Sequence, residues 1–196
     1  MEAVLKGIFK FLFNDEFDNS LGHEFLMQKS IYVLRCMGLD FEEYDFRCVD
    51  HGPFSYDLKA DYRSITPDST KDTIPGEVVF ARAFERLNLA RDVVLVEATA
   101  LSDSVLNADD GWGLFWKGLD NEKKKHMVWL EAVSSLHYIE NFMPRENLDP
   151  IDPIRILKDK KSWFAADNRF QEDDLPRALK RARSLSSEFI PSKSYN

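Results

Sequence analysis

Apolar positions along the chain fall mainly at helical spacing. Val4, Leu5, Ile8, Phe9 and Leu12 recur every three or four residues, which predicts an amphipathic helix over 2–13. Over 22–37 one stripe holds Leu26, Ser30, Val33 and Met37, and a second beside it holds Met27, Ile31 and Leu34. Gly38 follows, the usual residue just past a helix C-terminus, and so wide an apolar arc marks a central helix. Residues 44–49 alternate, with Tyr44, Phe46 and Cys48 on one side, as in a short half-buried strand that Gly52-Pro53 ends. Pro53 or Ser55 then opens a helix with Leu58, Tyr62 and Ile65 inward and Asp57 in its first turn.

Further on, 66–76 is rich in turn residues and carries two prolines, predicting an exposed loop. A helical pattern resumes over 77–89, while Val93-Val94-Leu95-Val96 suits either a buried strand or a helix. Asp109-Asp110-Gly111 reads as a turn. The longest helical pattern spans 121–142, with Trp129, Val133 and Leu136 on one stripe, Met127, Leu130, Ser134 and His137 on another, and Pro144 to stop it. Asp152-Pro153 and Asp174-Leu175-Pro176 each look like an N-cap with proline in the first turn, the second serving a helix over 175–186. The fold predicted is mostly α: one helical bundle over 1–186 with a small β element near 44–49, and a loose tail over 187–196.

Composition narrows the function classes. Lys plus Arg is 26 against 34 Asp plus Glu, a net charge of −8 that repels nucleic acid and anionic membranes unless cations segregate onto one face. The first residues carry acids around a short apolar run, which is neither a signal peptide nor a membrane span and points to the cytoplasm. The two cysteines are expected as reduced core thiols.

No constellation assembles into chemistry. Cys36, Cys48 and His51 invite a zinc reading, but a fourth ligand and a CxxC pair are missing, so no metal or cofactor is expected. His51-Gly52-Pro53-Phe54-Ser55 concentrates an imidazole and a hydroxyl, yet no base and oxyanion site are apparent. Turn and capping geometry explain the same residues, so no catalytic residue is assigned. The C-terminal third is locally basic, and Lys180, Arg181 and Arg183 are the candidate contacts of a DNA-binding regulator, although interspersed acids favour a solvated face. Phe54, Trp112, Phe115, Trp116, Trp163 and Phe164 lie in loop-like segments, where aromatics suit a protein interface or a satellite core.

Gln28-Lys29 followed by Tyr32, then Gly38, Tyr44, Phe46 and His51-Gly52-Pro53-Phe54-Ser55 with Leu58 and Asp61, resembles the YwgA-like family, with HGPFS in place of its YGPYS-type turn. Trp129-Leu130-Glu131 through Ser135-Leu136-His137-Tyr138, and then Lys161-Ser162-Trp163-Phe164, look like that family's later segments. The resemblance covers roughly 20–186 and lapses between 63 and 120. With the related Panacea or SocA-type proteins, it implies an antitoxin or adaptor that binds a partner protein, such as a toxin from an adjacent gene, with no catalytic residues to carry over.

Overall fold

A computed structural model describes residues 2–15, 17–65, 87–88, 90–106, 112–143, 152–165 and 170–189. Helix α1 (Glu2–Phe13) buries Leu5, Ile8, Phe9 and Leu12, the face its periodicity selects. Ser20 caps α2 (Leu21–Cys36), its hydroxyl accepting from the His23 N–H at 3.3 Å. Gly38, at φ +80°, follows the helix end. Every residue from Gly22 to Leu34 is buried, so α2 is a core helix on all sides.

Strands β1 (Arg47–Val49) and β2 (Gly52–Phe54) pair antiparallel, Arg47 opposite Phe54 and Val49 opposite Gly52, with Asp50-His51 as the connecting turn. The expected single strand is thus half of a hairpin, and Gly52-Pro53 begins the second strand instead of ending the first. Tyr44 and Phe46 are buried, but all three β1 residues are exposed, because the hairpin leaves the core there. Cys48 is therefore a surface thiol and not the core cysteine expected. Ser55 caps α3 (Tyr56–Arg63), which buries Leu58 and Tyr62, with Ile65 buried just beyond.

The segment left open between strand and helix is helical: a wide π-helical turn, Asp92–Val96, runs into the short α4 (Glu97–Thr99). A 3-10 turn (Asp103–Leu106) and α5 (Gly113–Trp116) precede α6 (Asn121–Phe142), whose cap Asp120 accepts from the Lys123 N–H at 2.8 Å. Residues His126 to His137 of α6 are all buried, so both predicted stripes are core. Helix α6 packs along α2 and α9 and meets β2 near its middle.

Asp152 caps α7 (Pro153–Lys160) as expected, accepting from the Ile154 and Arg155 N–H groups. Helix α8 (Ser162–Ala165) is one turn. Helix α9 (Asp174–Phe189) starts one residue earlier than expected, and 187–189 are helical and not tail. Asp174 is inside the helix and not its cap: its carboxylate accepts from the Gln171 N–H at 2.9 Å and pairs with Arg177. One hydrophobic core joins residues from α1 through α9, and the mostly α fold with a small two-stranded sheet is as expected. Among the described residues no helix is long and apolar enough to cross a membrane. The 66–76 loop, most of the 77–89 helix, the 109–111 turn, Pro144 and the tail from 190 lie outside the described residues.

Candidate functional site

Four stretches distant in sequence meet beneath the hairpin. From α2, the Gln28 side chain acts like a strand edge: its Nε2 donates to the Ser55 carbonyl at 2.8 Å, and the Ser55 N–H donates to its Oε1 at 2.9 Å. The next residue, Lys29, donates from Nζ to the carbonyls of Pro53, at 2.9 Å, and His51. The same ammonium lies 3.1 Å from Glu131 Oε2 on α6. On the far side of Glu131, Lys161, at the junction of α7 and α8, pairs with Oε1 and donates to Ser135 Oγ at 3.1 Å.

Glu131 and Ser135 are 0% exposed, Lys29 1% and Lys161 7%. Ions this dry persist only when paired and hydrogen-bonded. Burial pushes the Lys29 ammonium down, Glu131 opposes that, and the result is about 8. Burial pushes the Glu131 carboxyl up, but Lys161 and Lys29 outweigh it and hold it below the usual carboxylate range. Two cations on one anion leave a net positive charge.

Gly52 makes the close approach feasible. A Cβ there would stand 2.4 Å from Ser135 Oγ, 3.0 Å from Glu131 Oε2 and 3.1 Å from Lys29 Nζ, and its φ of +78° disfavours any side chain. Pro53 and Gly52 are buried, and Phe54 is half-buried with Tyr56 at 5.1 Å and Lys59 over its ring. Ser55 Oγ is occupied as the α3 cap, accepting from the Leu58 N–H. His51 is half-buried against Phe115, Trp112 and Phe25, at ring distances of 5.0, 5.7 and 6.1 Å, and burial lowers its pKa. Imidazole and hydroxyl therefore serve packing and capping respectively.

A second buried polar set lies one to two turns further along the same face of α2. Tyr32 Oη is 2.8 Å from His137 Nδ1, and Cys36 Sγ is 3.6 Å from the same nitrogen. Burial pushes His137 down to about 4 and the Cys36 thiol up to about 12. Cys36 is thus grouped with His137 and not with Cys48 and His51. Among the described residues no group of three His, Cys, Asp or Glu is placed to hold a metal.

The aromatic expectations divide. Trp112 and Phe164 are buried, at 1% and 2% exposed, so they are core residues and not surface anchors. Trp112 packs on Phe25 at 5.3 Å and Phe164 stacks on Phe170 at 5.3 Å, apolar contacts that the loop-like local sequence conceals. Phe115 and Trp116 are half-buried, with Lys124 over the Trp116 ring, and the Trp163 side chain lies outside the described residues. Leu114, next to Phe115, is 72% exposed and was not singled out by sequence.

The basic C-terminal third does not form one free face. Arg181 is held bidentately by Glu97, Arg183 by Glu140 at 2.8 Å, and Arg177 stacks on Trp129. Lys161 is buried on Glu131, and only Lys180 of the three nominated contacts is both exposed and without a described acidic partner. No protein-family model matches the chain, and no curated protein or solved structure matches it significantly.

Proposed function

We propose that the protein is a non-catalytic, protein-binding module of antitoxin or adaptor type, and that the resemblance to the YwgA-like family reflects a shared fold. One observation carries this reading. Four of the stretches that carry the resemblance, Gln28-Lys29, the HGPFS turn, Glu131 to Ser135 and Lys161, converge on one buried cluster whose polar groups hold one another. The Lys29 ammonium donates to two carbonyls and ion-pairs with Glu131, and Ser135 and Glu131 are enclosed, with Glu131 Oε2 held by that charge contact and not by a hydrogen bond. A cluster occupied in this way supports a keystone role, leaving the surface to act on a partner.

Exposed Leu114 and Tyr56 and the half-buried Phe54, Phe115 and Trp116 are among the apolar positions that the described residues leave open to such a contact. The ion pairs of Arg181 and Arg183 count against the alternative, a DNA-binding regulator, because phosphate contacts there would have to displace Glu97 and Glu140. The test is co-expression with the product of the adjacent gene in the native genome. Rescue of growth with a stoichiometric complex, weakened by Leu114→Glu, supports the reading. Absence of both toxicity and complex, with salt-sensitive DNA binding lost on neutralising Lys180, Arg181 and Arg183, overturns it.

A further inference from the structure

The start of α6 faces Thr99 and the 3-10 turn across an open cavity of about 350 Å³, lined by Thr99, Asp103, Asn121, Glu122, Lys125 and His126. The lining residues all carry polar groups, although carbon makes up more of the wall than nitrogen and oxygen do, and their two carboxylates outnumber the one ammonium. His126 is only 3% exposed, yet neither ring nitrogen has a hydrogen-bond partner on the protein. Buried imidazoles usually have one, so an unpartnered ring at the edge of a polar cavity is an observation separate from the acidic lining. Its Nε2 is 3.9 Å from Oε1 of Glu122, one helical turn earlier.

We propose that His126 and Glu122 form a two-point chelate for a divalent transition cation of the zinc, cobalt or nickel class. An ion at the usual 2.0–2.2 Å from imidazole nitrogen and carboxylate oxygen bridges such a gap after a small turn of the Glu122 side chain, which is 72% exposed. An imidazole ligand selects this class over magnesium or calcium. Neither ring nitrogen of His126 is engaged by a hydrogen bond, so Nε2 can turn to an ion without breaking one. Because no third ligand of the described chain is already in place, water completes the coordination. Asp103 on the opposite wall is a reserve ligand, now held by Lys125 at 2.7 Å.

The experiment titrates the full-length protein at pH 7 with Co²⁺ and then Zn²⁺, following cobalt absorption and the long-range ¹⁵N–¹H spectrum of the histidines. The expected result is saturable binding that shifts His126 and leaves His23, His51 and His137 in place. Glu122→Gln, on an exposed side chain that does not burden folding, should weaken binding at least ~10-fold, and His126→Gln should abolish it. No saturable binding up to about 1 mM overturns the proposal. So does affinity unchanged in Glu122→Gln, or a cobalt–thiolate absorption band placing the ion on Cys36 or Cys48.

Discussion

Glu131 is the single anion between two buried ammonium groups, and replacing it tests whether the cluster beneath the hairpin is a keystone. Glu131→Gln preserves volume but leaves Lys29 and Lys161 facing each other across a site that is 0–7% exposed. Breaking a buried pair by removing one partner costs about 3–5 kcal/mol, and here one change unpairs two cations, so we expect the upper end of that range. Against a total stability of about 5–15 kcal/mol this is severe. Lys161→Met should be milder: it leaves the charge-balanced Lys29–Glu131 pair but removes the hydrogen bonds to Glu131 Oε1 and Ser135, together roughly 2–3 kcal/mol. Lys29→Met should fall between them, since it also balances the charge but leaves the His51 and Pro53 carbonyls without their donor. The assay is urea unfolding at pH 7, followed by far-ultraviolet circular dichroism. The carboxylate adds a pH arm. Its folded pKa lies below the ordinary 4.5, so its contribution is complete above 4.5 and is lost as pH falls through the depressed value. Glu131→Gln should erase that portion of the acid transition. Equal losses for Glu131→Gln and Lys161→Met would refute the reasoning, because charge balance would then not govern the cluster.

His126 and His137 are both pushed from 6.5 to about 4 by burial, so the unfolded chain binds protons there that the folded chain excludes. Stability should fall by roughly 3 kcal/mol for each as pH drops from 6.5 to 4, separable by His→Gln variants in urea melts at pH 7 and pH 4.5. A flat profile across that window would contradict the burial of both rings. Gly52→Ala should cost more than the ~1–2 kcal/mol of its positive φ alone, because the new methyl also meets Ser135, and adding Ser135→Ala should recover only the steric part. Thermal melts of the single and double variants check it, full recovery being the contrary result.

The helices were legible because their signals are local. The 3.6-residue periodicity of α1, the caps Asp152 and Ser55, and Gly38 past α2 each act within one or two turns. What the sequence concealed are contacts made across long separations. Lys29 reads as an ordinary lysine until Glu131, about a hundred positions later, is seen at 3.1 Å. A signal was nonetheless present: a carboxylate inside Met127-Val128-Trp129-Leu130-Glu131-Ala132-Val133, and a lysine between the apolar stripes that Met27 and Ile31 share, are charges set among core positions of two helices. Because an unpaired ion there is prohibitive, two such charges of opposite sign on two core helices imply each other. The same logic explains the failures. Loop-like composition around Trp112 suggested a surface, but a large aromatic follows whichever core its neighbours expose, and here Phe25 and Phe115 enclose it. The alternation through Cys48 suggested burial, but period two specifies only that faces differ, not how far along the strand the core extends. The hairpin stops being core at Arg47, where the chain leaves the cover of Tyr32 on Phe46, and returns at Gly52, where the side chain must be absent for Lys29, Glu131 and Ser135 to close. The buried ion cluster therefore explains the shape of the hairpin as well as its position.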